Sequence, residues 1–408
     1  MVLTVASAGS AEADPPSPEL TLSARETVDL WDDPSGGARG GAVVLNKLQV
    51  SAGLRGERFG LDGLIVHGEV FRTDGASLSS RVGDIQTASN IEAVPTFRLF
   101  EGWIEKRFGD EDRSFAIRAG LMDLNSDFDS IETASLFINS SHGIGPDLSR
   151  SGLNGPSIFP VSAAGLRASW LPSKPWTLRI AAFDGVPGNT DRPKAFVAVK
   201  LRGEDGILLV AQTDYHLSDS AKVEVGAWGY STAMLPDWPG TNRRAHDRGF
   251  YASFEGPLPW VKGGSGWLRA GRADVHAQSI GSYFGAGIAA RGTFAARPDD
   301  RFGIAVARAG IAGEARKALG ISRAETNLET SYQYRISEAL VVQPDLQWVH
   351  HPSGVAGARD ALIFGLRIVL TAAYPRQASP SDAADPNLPA GGPQPPDSGD
   401  ASPTSSLR

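Results

Sequence analysis

Glu101, Trp103 and Glu105 stand at alternate positions of one short run, and Lys222, Glu224 and Trp228 repeat that spacing further along. Alternate residues of an extended chain share a face, so each run would present carboxylates, a cation or an indole on one surface. Carboxylates accept hydrogen bonds, ammonium and guanidinium groups donate them, and an indole plane offers apolar contact. Such a surface holds hydroxylated or charged solutes through many weak contacts, and the same residues also suit ion pairs that only brace a wall. No bond-breaking chemistry is visible. The chain has no Gly-x-Ser-x-Gly elbow, no Walker loop and no His-Glu-x-x-His, so no catalytic residue is assigned. The His residues are scattered apart from His350-His351, and there is no Cys. No metal, cofactor or disulfide is expected.

The elements that would position these side chains are strands. Period-2 runs bounded by Gly, Pro, Asn and Asp fall at roughly 20–31, 43–54, 61–72, 96–107, 113–123, 163–171, 176–184, 206–217, 221–231, 247–258, 264–275, 282–294, 300–311, 324–336, 338–349 and 360–371. Each is about ten residues, the length a tilted strand needs to cross a hydrocarbon core. The connections alternate. Those at 55–60, 108–112, 172–175, 218–220, 259–263 and 295–299 are short, and those at 32–42, 73–95, 124–162, 185–205 and 232–246 are long. Tight turns at one end and long loops at the other are the pattern of a closed up-and-down antiparallel β-barrel in an outer membrane, with short periplasmic turns and long extracellular loops. An even count of about sixteen strands puts both chain ends on one side.

Composition agrees with that reading. The chain has 408 residues, 47 Gly and a formal net charge of −7, and no apolar run is long enough for a transmembrane helix. The acidic balance argues against nucleic acid as a partner. Residues 1–18 include Ser10-Ala11-Glu12-Ala13, which resembles the small-residue end of a secretory signal. It is read either as a truncated signal or as a disordered tail. The barrel is placed at 19–374. Residues 375–408, rich in Pro, Ser and Asp, are expected to be disordered.

Several stretches resemble the carbohydrate-selective porin family of Gram-negative outer membranes. They are Arg98-Leu99-Phe100-Glu101-Gly102-Trp103-Ile104-Glu105, Ile117-Arg118-Ala119-Gly120-Leu121-Met122-Asp123 with Phe137-Ile138-Asn139, Ala182-Phe183-Asp184-Gly185-Val186-Pro187, and Gly226-Ala227-Trp228. Further on come Gly287-Ile288, Arg297-Pro298-Asp299-Asp300, Phe302-Gly303, and Gln343-Pro344-Asp345-Leu346-Gln347-Trp348-Val349 with His351-Pro352. The Gln-Pro-Asp run is the sharpest, because Pro inside a strand is rare. The resemblance implies a sixteen-stranded barrel, passive diffusion of sugars such as glucose, and a constriction made by inward-folded loops.

Alternation then supplies the pore-lining candidates: His67 and Glu69; Glu101, Trp103 and Glu105; Arg118 and Asp123; Arg167; Arg179; Glu224 and Trp228; Arg269. Arg118 is placed to pair with Glu101 or Glu105 on the neighbouring strand. Arg98 and Phe100 fall in the opposite phase, which sets Phe100 on the outer face and Arg98 at the rim. The longest connection, 124–162, carries Asp127, Asp129, Glu132, Asp147 and Arg150 and is read as the constriction loop. The expected partners are sugars or small hydrophilic solutes and outer-membrane lipid. Large porins often form a homotrimer, but no subunit interface is legible. Two other readings stand beside the channel: a secreted soluble β-rich protein that binds carbohydrate, and an outer-membrane barrel serving as scaffold or adhesin.

Overall fold

The computed structural model describes residues 20–375 except 111 and 356. The expected N-terminal signal or tail, and the expected tail from 376 onward, lie outside the described residues.

The described chain forms sixteen strands. They are β1 (Leu20–Ser35), β2 (Val43–Arg55), β3 (Leu64–Gly75), β4 (Thr96–Gly109), β5 (Ser114–Met122), β6 (Ala163–Ser173), β7 (Trp176–Asp184) and β8 (Ile207–Ser218), followed by β9 (Ala221–Met234), β10 (Ala245–Pro257), β11 (Gly264–Ala273), β12 (Ile280–Arg291), β13 (Arg301–Ile311), β14 (Ala324–Arg335), β15 (Leu340–His350) and β16 (Ala361–Tyr374). Each pairs antiparallel with its sequence neighbours, and β1 pairs with β16, so the sheet closes with no free edge. No helix among the described residues is long and apolar enough to cross a membrane.

The sequence explains the closure face by face. On β14, Glu325, Asn327, Glu329 and Ser331 are buried while Leu328 and Tyr334 are exposed. On β16, Arg367 is buried and Phe364, Leu366 and Leu370 are exposed. Charge inside and hydrocarbon outside is the inverse of a water-soluble sandwich. It is the arrangement a lipid-facing barrel requires. Pro344 sits outward in β15 with no N–H to donate, and the ladder between β14 and β15 is interrupted around it.

A departure from strict alternation in β4 bears on the site. Glu69 on β3 pairs with Glu101 on β4, yet the next residue, Val70, pairs with Leu99, so Phe100 is an extra residue at a β-bulge. An extra residue reverses the phase. Arg98 and Phe100 therefore turn inward above the bulge, and Glu101, Trp103 and Glu105 point inward below it. The sequence placed Phe100 outside and Arg98 at the rim. Both are buried, and Arg98 donates to the carbonyl oxygens of Pro160 and Pro193.

The long connection after β5 folds into the barrel. It holds four short helical turns, at Leu124–Ser126, Thr133–Leu136, Ser140–Gly143 and Pro146–Ser149. Leu124, Phe128, Leu136, Ile138 and Leu148 on it are buried. Leu124, Phe128 and Leu148 cluster with inward-facing Met122, Phe183, Leu208, Trp228 and Tyr251, Leu136 with Trp267, and Ile138 with Trp31, Leu45 and Ile363, so the interior is filled by loop side chains rather than by wall meeting wall.

Candidate functional site

The inward loop is held to one side of the barrel by residues whose types demand it. Helical turns leave backbone N–H groups without partners, and wall carboxylates accept them. Glu255 on β10 takes the N–H groups of Glu132 and Thr133 at 3.1 and 2.8 Å. Glu329 on β14 takes those of Ile138 and Asn139. The Gln212 side chain on β8 accepts from Asp129 N at 2.9 Å. From β15, the Gln343 amide donates to Leu136 O at 2.6 Å. Tyr283 on β12 donates to Ser141 O at 2.7 Å.

Charge clamps reinforce these bonds. Arg269 on β11 donates through Nε and Nη2 to the two Asp129 oxygens at 3.1 and 2.8 Å and also pairs with Asp147. Its guanidinium lies about 5 Å from the Tyr251 and Tyr283 ring centres. Burial pushes the Asp147 carboxyl above its usual range, and the Arg269 charge opposes that shift. His142 on the loop is buried, and burial holds its imidazole down at about 3. It therefore stays neutral where it meets Glu329 at 3.4 Å.

A second clamp fixes the start of the loop. Asp127 receives Arg118 and Arg167, each at 2.9 Å, and both arginines also reach Glu105 at 2.9 and 3.1 Å. Trp103 lies flat between this cluster and His67, with the Arg118 guanidinium 3.9 Å from its ring centre and the His67 ring stacked at 4.8 Å. Neighbouring His67 and Glu101 stand 3.5 Å apart, and Gln49 donates to Glu69 at 2.9 Å.

Because the loop is pinned to β5, β6 and β8–β15, open space remains on the wall of β1, β2 and β16. A cleft of about 540 Å³ lies between the loop and β1, β2 and β16. Arg25, Lys47 and Arg367 line its wall; Glu92, Asp123, Arg150 and Phe159 come from the loops. The Lys47 ammonium sits 3.9 Å above the Phe159 ring. Asp123 begins the inward loop directly after β5. Burial, with Glu101 nearby, pushes the carboxyl up to about 7. A second cavity of about 460 Å³ opens beneath the loop at the short-turn end, lined by Glu132, Lys222, Glu255 and Arg301 among others.

The sequence-derived residues therefore divide. Asp123 and Arg150 face the cleft, and Glu132 faces the lower cavity. His67, Glu69, Glu101, Trp103, Glu105, Arg118, Arg167 and Asp127 gather on the β3–β6 wall as one interlocked group. Arg179 pairs with Asp214, and Glu224 with Lys222. Trp228 and Arg269 point inward from the wall but are covered by the loop, and Asp129 and Asp147 of the loop are buried against that wall, so these four anchor the loop and do not line open space. Sequence reasoning missed Arg25, Lys47, Gln49, Glu92 and Phe159. Arg25 shares its phase with Thr27 and Asp29, and Lys47 with Gln49, so phasing the first two strands by the same alternation would have found the wall residues.

Comparison with known proteins agrees with this architecture. The family described as carbohydrate-selective porin, OprB family, matches residues 40–371. Porin B of Pseudomonas aeruginosa is 23% identical over 349 residues, covering 73% of this chain and 75% of that protein. The high-pH structure of Pseudomonas putida OprB superposes with a TM-score of 0.76 at 20% identity, covering 86% of this chain and 94% of that one. Its low-pH structure gives 0.55 at 15% identity. The match spans nearly all of the barrel, from the loop before β2 into β16, and joins a loop-filled, sixteen-stranded lumen to a family of outer-membrane channels rather than enzymes: the chain belongs to the carbohydrate-selective porins of the OprB family.

Proposed function

We propose that the chain passes monosaccharides such as glucose by passive diffusion, and that they travel through the cleft along β1, β2 and β16. The observation that carries this reading is the cleft's lining. Arg25 and Lys47 offer N–H donors on one wall, beside an Arg367 held by Asp29 and Asn90, Asp123 offers an acceptor, and Phe159 offers an apolar plane. Sugar hydroxyls both accept and donate, and a pyranose ring has an apolar face, so each surface has a counterpart on the solute. The contacts are separate and individually weak, which lets a solute leave as readily as it enters. Charged side chains on both walls leave room for other small hydrophilic solutes. This placement moves solute contact away from Trp103 and Trp228, which are occupied by His67 and Arg118 or covered by the loop.

The test is current blockade in a planar bilayer. Glucose added to the wild-type channel is expected to reduce ionic current in a concentration-dependent way. Lys47→Met combined with Arg25→Met should weaken that block while leaving an open channel. Block of equal strength in the double variant would place the sugar path elsewhere.

A further inference from the structure

The outer surface carries a feature that diffusion through the lumen does not use. On β10, β11 and β13 the outward-facing residues nearest the long-loop end include Arg248, Arg272 and Arg308, all exposed. The register places them together. Arg272 stands opposite Phe250, two residues along β10 from Arg248. It is also opposite Ser282 on β12, where Phe284, two residues on, faces Arg308. Neighbouring strands lie about 4.8 Å apart, so Arg272 and Arg308, two strands apart, are separated by roughly 10 Å along the rim.

Two of these three arginines have no carboxylate partner among the described residues. Arg248 is 74% exposed and meets Asp274 at 3.5 Å. Arg308 donates to the neutral Thr326 hydroxyl at 3.0 Å. Arg272 has no ion-pair partner among the described residues. The cluster is also confined to one side. The other outward arginine at this end of the described strands is Arg72, and Asp74 neutralises it at 2.8 Å. A belt serving only to mark the membrane boundary would run around the whole circumference. Just below the three guanidinium groups lies exposed hydrocarbon: Phe250, Leu268, Phe284, Ile288 and Ile304.

We propose that this patch binds a phosphorylated glycolipid of the outer leaflet, with phosphate groups on Arg248, Arg272 and Arg308 and acyl chains on the apolar surface beneath. Guanidinium forks match phosphate oxygens in a bidentate geometry. The long-loop end of such a barrel faces away from the cell, so these cations meet the headgroups of the outer leaflet. Three like charges within the four-strand stretch from β10 to β13 repel one another until an anion joins them. The hydrocarbon directly below requires an amphipathic occupant, which a free phosphate is not.

The full-length barrel in detergent, titrated with bisphosphorylated lipid A and followed by native mass spectrometry, tests this. Wild type is expected to prefer bisphosphorylated over dephosphorylated lipid A by at least about ten-fold, as each basic residue near an anionic headgroup adds roughly 1 kcal/mol. Combined Arg248→Gln, Arg272→Gln and Arg308→Gln should remove that preference, and Arg72→Gln should retain it. Equal binding of the two lipids by wild type overturns the proposal without any variant. So does an unchanged preference in the triple variant, or a protein dimer occupying the face regardless of phosphate.

Discussion

Arg269 on β11 closes on Asp129 with two parallel hydrogen bonds of 3.1 and 2.8 Å, although 140 residues separate them in sequence. With Asp147 on the same guanidinium, this pair ties the inward loop to the far wall and so decides which side of the lumen stays open.

Removing the cation would leave two buried carboxylates facing each other. Breaking a buried pair by deleting one partner is destabilising by about 3–5 kcal/mol. Arg269→Met is expected to lower unfolding stability in lipid by that order and to raise single-channel conductance, because the loop is released. Unchanged conductance would show that the clamp does not position the loop. Gly271→Ala should act in the same direction, since a Cβ there would collide with the Asp147 carboxylate.

Arg118 is held by Glu105, Asp127 and the Trp103 ring. Arg118→Ala is therefore expected to lower thermal stability more than it changes sugar block. Equal melting of the variant and wild type, with altered block, would return Arg118 to the solute path.

Asp123 gives the cleft a pH response. Its folded value, about 7, lies above the ordinary carboxylate value of 3.8. The folded state thus binds a proton that the unfolded state has lost. This contribution to stability is fully present below about pH 4 and is lost as pH rises through about 7. Above pH 7 the cleft gains a negative charge near Lys47, Glu69 and Glu101. The reversal potential in a KCl gradient should shift toward cation selectivity between pH 5 and pH 8, and Asp123→Asn should flatten that shift. An identical shift in the variant would assign it to another group.

On the outer wall, Leu366 is exposed among Phe364, Ile368 and Leu370. Leu366→Arg is expected to cost about 2–4 kcal/mol of folding stability in bilayers, the range for a cation near the midplane. Glu26 faces the same side on β1 and accepts from Asn46 on β2. Glu26→Leu should therefore leave lipid-embedded stability equal or higher. Denaturant titration in vesicles reads both, and a neutral Leu366→Arg would mean that this wall does not meet hydrocarbon.

The barrel was legible because alternation is local: Leu362, Phe364 and Leu366 against Gly365 and Arg367 can be read within a few residues. The inward loop was legible from its length and its carboxylates. The division of labour inside was not. Whether Arg269 meets solute or Asp129 depends on a contact across 140 residues, and Glu329 finds Ile138 N across 191. No periodicity reports such pairings. The bulge at Phe100 was also invisible, since one unpaired residue reverses the phase of Arg98 without any compositional mark.

Osmotic swelling of proteoliposomes tests the central claim most directly. Vesicles holding the wild-type chain should swell rapidly in isotonic glucose and negligibly in a hexasaccharide of the same osmolarity, because the loop leaves only a narrow cleft. Absence of swelling in glucose, from vesicles whose barrel is shown to be inserted, would contradict the account, as would equal rates in both sugars.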